Sequence, residues 1–207
     1  MVELSVQIPL TSPGGTYGQA AYTAVKRASR IRGQLLPYQA LALYELVKAY
    51  DRPGCNILEI GTFVGHSTAV MAQAAPRAWI VTLNPAGHEA RKAINNLRDW
   101  PNVRVVGERS WDYLEHDGTP WDVIFVDGDH KHIMQDMPWW DRVRCGGLML
   151  FHDYSPPEAA NPCPRVYSAV NYLGELLGRP PDVLIVGRDK VGMAGFYVKL
   201  GDPHWRA

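Results

Sequence analysis

The sequence predicts an α/β chain built on a mostly parallel sheet and closed by an antiparallel hairpin. Three observations carry that reading. Short apolar runs alternate with stretches of helical length between residues 56 and 178. A two-glycine turn joins the first run to the helix after it. The last two runs, 182–187 and 194–199, are separated by a Gly-containing loop too short for a crossover helix, so they should pair antiparallel.

Residues 1–15 are punctuated by Pro and Gly and are expected to be irregular. Residues 17–32 mix apolar and basic positions as a surface helix does. Residues 35–50 place Leu43, Leu46, Val47 and Tyr50 on one face of a second helix, which Asp51-Arg52-Pro53-Gly54 ends with turn chemistry. Strands are expected at 56–60, 78–83, 103–106, 121–126 and 147–151. Helices are expected at 67–75, 86–98, 110–115, 131–143 and 164–178. Strands alternating with helices imply right-handed crossovers and a sheet covered on both faces. The organisation read from this is a helical cap over 1–50 and a seven-stranded core over 51–207.

A chain of 207 residues fits one domain with an appended cap. Lys+Arg and Asp+Glu are equal at 21 each, which points away from a nucleic-acid-binding surface or an acidic tail. No run approaches the roughly 18 apolar residues of a membrane span. Met1 to Pro9 lack a basic region ahead of an apolar one, so no leader is expected. Cys55, Cys145 and Cys163 are odd in number and widely spaced. They are expected to be buried or partly buried free thiols in a reducing cytosol.

The segment from Asn56 to Thr68 is the most informative. Ile57, Leu58 and Ile60 form a short strand that enters a turn at Gly61 and Gly65, and Ser67 and Thr68 then open an apolar helix. This aims free backbone N–H groups and a positive helix end at an anionic or zwitterionic small molecule. A dinucleotide fingerprint, G-x-G-x-x-G, needs its second glycine to admit a pyrophosphate. Here Phe63 fills the second position and His66 the third, and a Phe ring crowds the site a diphosphate needs. The pattern Glu59-x-Gly61-x-x-x-Gly65-x-Ser67 instead resembles motif I of the class I S-adenosylmethionine-dependent methyltransferases. That resemblance implies cofactor contacts for Glu59, Gly61, Thr62, Phe63, Gly65 and Ser67, the acidic residue helping to hold the ammonium end. Five strand–helix units ending in a hairpin also match the Rossmann-like seven-stranded sheet of that family.

In open parallel sheets, ligands bind beyond the carboxyl ends of the strands. Strand two ends at Asn84, where the family usually places a carboxylate for the ribose hydroxyls; an amide binds them without charge assistance. Asn84-Pro85 is equally readable as plain turn chemistry. Strand four ends in Asp127-Gly128-Asp129-His130 and strand five in His152-Asp153-Tyr154. If those strands are neighbours, Asp127 and Asp153 lie about 5 Å apart. Two carboxylates that close need a proton or a cation between them. Mg2+ or another divalent cation held by Asp127 and Asp153, with Asp129 in reach, meets that need. The alternative is that Asp129 caps the helix at 131 and Asp153 the turn at Ser155.

With both strand ends in view, the chain is similar to a methyltransferase subgroup marked by DGDH-type and HDY-type motifs, many of whose members methylate small molecules and sugars. In catechol-type relatives the residue after the second Asp is an Asn metal ligand, whereas this chain has Tyr154. His152, Asp129 or His130 must then complete a metal shell, or there is none. Ser110 and Trp111 follow strand three, where such enzymes cover the adenine; a core position for Trp111 is equally open. Trp139 and Trp140 are expected in the core. His130, His132 and His152 flank the site, and His130 is favoured as a base because an imidazole titrates near pH 6.5. His66 can face the cofactor, while His88, His116 and His204 read as surface residues.

The function implied is transfer of a methyl group from S-adenosylmethionine to a small-molecule hydroxyl, with His130, Asp127 and Asp153 as catalytic residues, in a cytoplasmic protein whose first 50 residues leave a homodimer open. Three alternatives stand beside it. Two histidines with Asp153 are the ligand types of an iron oxygenase. A nicotinamide oxidoreductase is disfavoured by Phe63 and the terminal hairpin. A non-catalytic module is kept open by Asn84.

Overall fold

A computed structural model describes residues 17–187 and 190–205. The stretch expected to be irregular, 1–15, lies outside the described residues. Seven strands form one sheet: β1 (Asn56–Ile60), β2 (Trp79–Leu83), β3 (Val103–Val106), β4 (Trp121–Val126), β5 (Val143–Tyr154), β6 (Val183–Val186) and β7 (Gly192–Tyr197). Their order is β3-β2-β1-β4-β5-β7-β6; β1 to β5 run parallel and β7 lies antiparallel between β5 and β6. The expected hairpin is present. The strand order reverses between β1 and β4, and their carboxyl ends make the crevice where such sheets bind ligands.

The inner strands are apolar throughout because both faces are covered. Ile57, Val123, Phe125, Leu148 and Leu150 point to one hydrophobic cluster, Leu58, Ile124, Val126, Met149 and Phe151 to the other. Helices α1 (Gln19–Ala28), α2 (Pro37–Lys48) and α3 (His66–Ala74) share the first cluster. Leu43, Leu46, Val47 and Tyr50 are buried, but so is almost every other residue of α2 from Gln39 onward. The helix is enclosed instead of presenting one apolar stripe. Helices α4 (His88–Leu97), α5 (Ser110–His116) and α7 (Pro164–Leu177) follow their strands near the expected places.

Two elements differ from expectation. The helix expected over 131–143 is broken into a 3-10 turn (His130–His132), one α-turn, α6 (Ile133–Asp136), and a second 3-10 segment (Met137–Arg142). Pro138 lacks the N–H a continuous helix needs there. Strand β5 begins at Val143, not 147, because Gly146 adopts φ 81° and the pairing with β4 shifts register between Trp121 and Val123. Such a bulge lets a strand continue past an unpaired residue. Trp139 and Trp140 are core residues as expected. Cys55 is buried and Cys163 half-buried, but Cys145 is exposed, against the expectation for all three. No helix among the described residues is long and apolar enough to cross a membrane.

Candidate active site

The turn after β1 is held tightly from below. Gly61 and Thr62 N–H groups both donate to Leu83 O, at 2.9 and 3.1 Å, and Asp127 N–H donates to Ile60 O at 2.8 Å. Gly61 takes φ 101°, and a Cβ there would sit 2.1 Å from the Asp127 carbonyl oxygen. Only glycine fits between the ends of β1 and β4. Gly65, at φ 93°, starts α3 without a side-chain cap.

Glu59 lies beneath this loop, fully buried, and does not face the cleft. Its oxygens accept hydroxyl bonds from Ser67, Thr68 and Thr82, each 2.5 Å long. Burial pushes its carboxyl up, the three hydroxyls pull it down, and it settles at about 7. Glu59 therefore ties β1, β2 and α3 together beneath the loop.

Two cavities open on this edge and share Gly61, Phe63 and Asp127 in their walls. The first is lined by Gly33, Gln34 and Leu35 of the α1–α2 loop and also by Thr62, His66 and Ser67. The second runs over Asn84, Ser110, Trp111, Asp129 and Asp136. Phe63 stands half-exposed at their junction with φ 49°. Its N–H donates to Asn84 Oδ1 at 3.0 Å, and Asn84 Nδ2 donates to Pro85 O at 3.1 Å. Asn84 thus braces the turn and also lines the cavity.

The Ser110 hydroxyl donates to Asp136, a largely buried residue of the same cavity wall. Burial raises the Asp136 carboxyl to about 6, against the lowering by Ser110. The sequence reading missed Asp136, although it follows the DGDH turn by one helical turn and a half. Trp111 is half-buried in the cavity wall, not in the core, with the Arg109 guanidinium 5.5 Å from its ring centroid.

The acidic ends of β4 and β5 come together as expected, with one difference. Val126 pairs with Phe151, so the residue beside Asp127 is His152. Its Nδ1 lies 2.9 Å from Asp127 Oδ1 and 3.2 Å from Asp153 Oδ2. Neither oxygen is in line with the ring N–H, so the pairing is of charge more than a directed bond. Asp153 reaches this point because its backbone is left-handed, φ 55°, at a register shift between β5 and β7. Asp and Asn tolerate that conformation best among residues with a Cβ. His152 Nε2 lies 3.3 Å from Gln39 Oε1, a contact between residues 113 apart in the chain. Burial pulls the His152 pKa down, but Asp127 and Asp153 outweigh it and push it up to about 10.

His130 Nε2 lies 3.2 Å from Asp153 Oδ2, and its Nδ1 lies 3.4 Å from Cys163 Sγ. The Asp153 hydrogen bond raises the His130 pKa above its ordinary value. Burial favours the neutral Asp153 carboxyl, yet His130 and His152 hold it well below the usual carboxylate range. Asp129 is not part of this cluster. It accepts from Lys131 N–H at 3.0 Å and caps the 3-10 turn, the alternative open in the sequence. His132 is exposed and faces Asp129 and Trp111. Tyr154 donates its hydroxyl to Asn171 Oδ1 at 3.1 Å. His88, His116 and His204 are exposed.

Residues 58–154 match the family model described as a methyltransferase domain. That stretch, just under half of the chain, carries both strand ends and the glycine turn. The chain is 31% identical over 116 residues to protein-L-isoaspartate O-methyltransferase 2 of Polaromonas sp., covering 55% of this chain and 52% of that protein. It is 30% identical over 106 residues to a catechol O-methyltransferase of Niastella koreensis, covering 47% and 48%. The chain thus aligns with about half the length of these curated relatives. Among solved structures, cofactor-bound Rv0187 from MTB superposes with TM-score 0.61 at 26% identity over 85% of this chain and 86% of that one. The O-methyltransferase TomG from Streptomyces achromogenes, solved with SAM, gives 0.61 at 22% identity over 88% and 91%, a likeness of fold.

Converting Asn84 to Asp is expected to tighten the site. The carboxylate keeps the acceptor for Phe63 N–H, gives up the Nδ2 bond to Pro85 O, and would add charge assistance to a ribose hydroxyl placed in the cavity. Calorimetry should show S-adenosylhomocysteine binding up to about tenfold tighter, the difference between a neutral and a charge-assisted hydrogen bond.

Proposed function

We propose that this chain transfers the methyl group of S-adenosylmethionine to the hydroxyl of a small-molecule acceptor. The observation that carries the reading is the junction of two cavities at Gly61, Phe63 and Asp127, directly beside the His130–Asp153 pair. The residues fit the cofactor: the first cavity offers helix-start amides and a carboxylate to a zwitterion. When bound, the cofactor supplies an already activated methyl group. Gly61, Phe63, Asn84 and Trp111 would hold it, and the acceptor side is bounded by His130 and Cys163.

The chain's own contribution is alignment and proton removal. Alignment alone can lower a barrier by roughly 7–11 kcal/mol. Asp153 takes the Nε2–H of His130 and so fixes its tautomer, leaving Nδ1 as the basic nitrogen. The thiol contact on Nδ1 is weak and easily replaced by an acceptor hydroxyl.

A Mg2+-type ion does not fit this arrangement. Asp127, His130 and Asp153 bring donor atoms within 4.8 Å of one another, but one of the three is nitrogen. The space between the two carboxylates is met by His152 Nδ1, and Tyr154 is turned away to Asn171. On this reading the charge that separates the carboxylates is the His152 imidazolium. Dialysis against a chelator should leave turnover unchanged; a loss restored by Mg2+, Mn2+ or Zn2+ would overturn it.

The direct test is transfer of labelled methyl groups from S-adenosylmethionine to a panel of phenols, catechols and sugar alcohols. Label in none of them, with the cofactor bound, would count against O-methylation. The pH profile checks the base. Only unprotonated His130 can take a proton, and Asp153 favours the protonated form, so the acid limb of kcat/KM should lie above the ordinary imidazole value. Asp153→Asn should move that limb to lower pH.

A further inference from the structure

His66, the first residue of α3, is nine-tenths buried, and neither ring nitrogen has a hydrogen-bond partner among the described residues. Buried polar atoms in native proteins are ordinarily paired, so an imidazole kept this way marks a place where a ligand completes the bonding. The fold makes room for the ring. A Cβ on Gly33 would fall 2.3 Å from His66 Cβ and 2.4 Å from its Nδ1, so the α1–α2 loop closes over the ring only because residue 33 is glycine.

The surroundings say what the ligand group is. His66 lines the first cavity together with Gly61, Ser67 and Asp127. Helix α3 has nine residues and no side-chain cap, and the hydroxyls of Ser67 and Thr68 turn down to Glu59. Its first-turn amides, with the positive end of the helix dipole, are left for an anion. Asp127 on the same cavity would repel a group with only negative charge, such as phosphate, but would pair with an adjacent ammonium. One cavity offering both suits an α-amino-acid zwitterion.

We infer that His66 binds the carboxylate at the amino-acid end of the cofactor, donating a ring N–H to it beside the amides of α3. The inference rests on the S-adenosylmethionine reading above. Burial lowers the pKa of His66, so the ring is neutral and carries one donor and one acceptor nitrogen.

Calorimetry with two ligands tests it: S-adenosylhomocysteine, and 5′-methylthioadenosine, which lacks the amino-acid portion. His66→Phe keeps the ring and removes the donor. It should weaken S-adenosylhomocysteine at least tenfold and leave methylthioadenosine within twofold, and His66→Gln should recover part of the loss. Gly33→Ala, which displaces the ring, should give the same split and serves if His66→Phe does not fold. Equal weakening of both ligands, or no weakening of either, would overturn the inference. Wild-type protein that binds both ligands equally would remove it while leaving the cofactor reading intact. Wild-type protein that binds methylthioadenosine alone has the same consequence. Binding of neither would remove the cofactor reading itself and this inference with it.

Discussion

Gly61→Ala should abolish cofactor binding and destabilise the fold by about 3 kcal/mol or more. The new methyl group would lie 2.1 Å from the Asp127 carbonyl oxygen, and the atom it meets is backbone. That backbone cannot retreat, because Asp127 N–H is bonded to Ile60 O on the neighbouring strand. The φ of 101° adds strain for any residue with a Cβ. Either the β1–β4 edge opens or the turn rebuilds, and both remove the shared wall of the two cavities. Chemical denaturation reads the stability, and calorimetry with S-adenosylhomocysteine reads the binding. A variant within about 1 kcal/mol of wild type that still binds would contradict the close approach described here.

Glu59→Ala should cost about 3–5 kcal/mol, because three buried hydroxyls lose their acceptor at once. Glu59→Gln keeps an acceptor oxygen and an amide, so its loss should be markedly smaller. The two variants also separate a pH effect. Below pH 4.5 folded and unfolded chains both hold the Glu59 proton; between there and about 7 the folded chain alone keeps it. Stability from this group is therefore complete at low pH and falls as pH rises through that window. The full span is on the order of 3 kcal/mol. Melting temperature of wild type should fall more than that of Glu59→Gln between pH 5 and 8. Parallel pH slopes for the two proteins would show that Glu59 is ionised throughout.

The strands were legible because those buried on both faces read as unbroken apolar runs, as in Trp121–Val126. The glycine turn was legible for a related reason, since Gly61 and Gly65 sit where the backbone takes positive φ and no other residue does so cheaply. What failed to show depends on partners distant in sequence or on register. Pro138 was visible, yet the helical periodicity around it outweighed it in the reading of 131–143. That His152 meets Asp127 follows from the β4–β5 register and the left-handed turn at Asp153, neither of which has a local pattern. Gln39 enters the site from α2 and Gly33 from the loop before it, and nothing near them in sequence announces it. Glu59 was read as a cofactor contact from family likeness. The three hydroxyls that claim it come from two further elements, α3 and β2.

On the proposed function, the paired cavities over Gly61 and Phe63 take a sulfonium nucleoside and not a diphosphate carrier. Titrating the purified chain with S-adenosylhomocysteine and, separately, with NADH tests it most directly. One-to-one binding of S-adenosylhomocysteine, with no saturable heat from NADH, is the predicted result. Saturable binding of NADH with none of S-adenosylhomocysteine would contradict it.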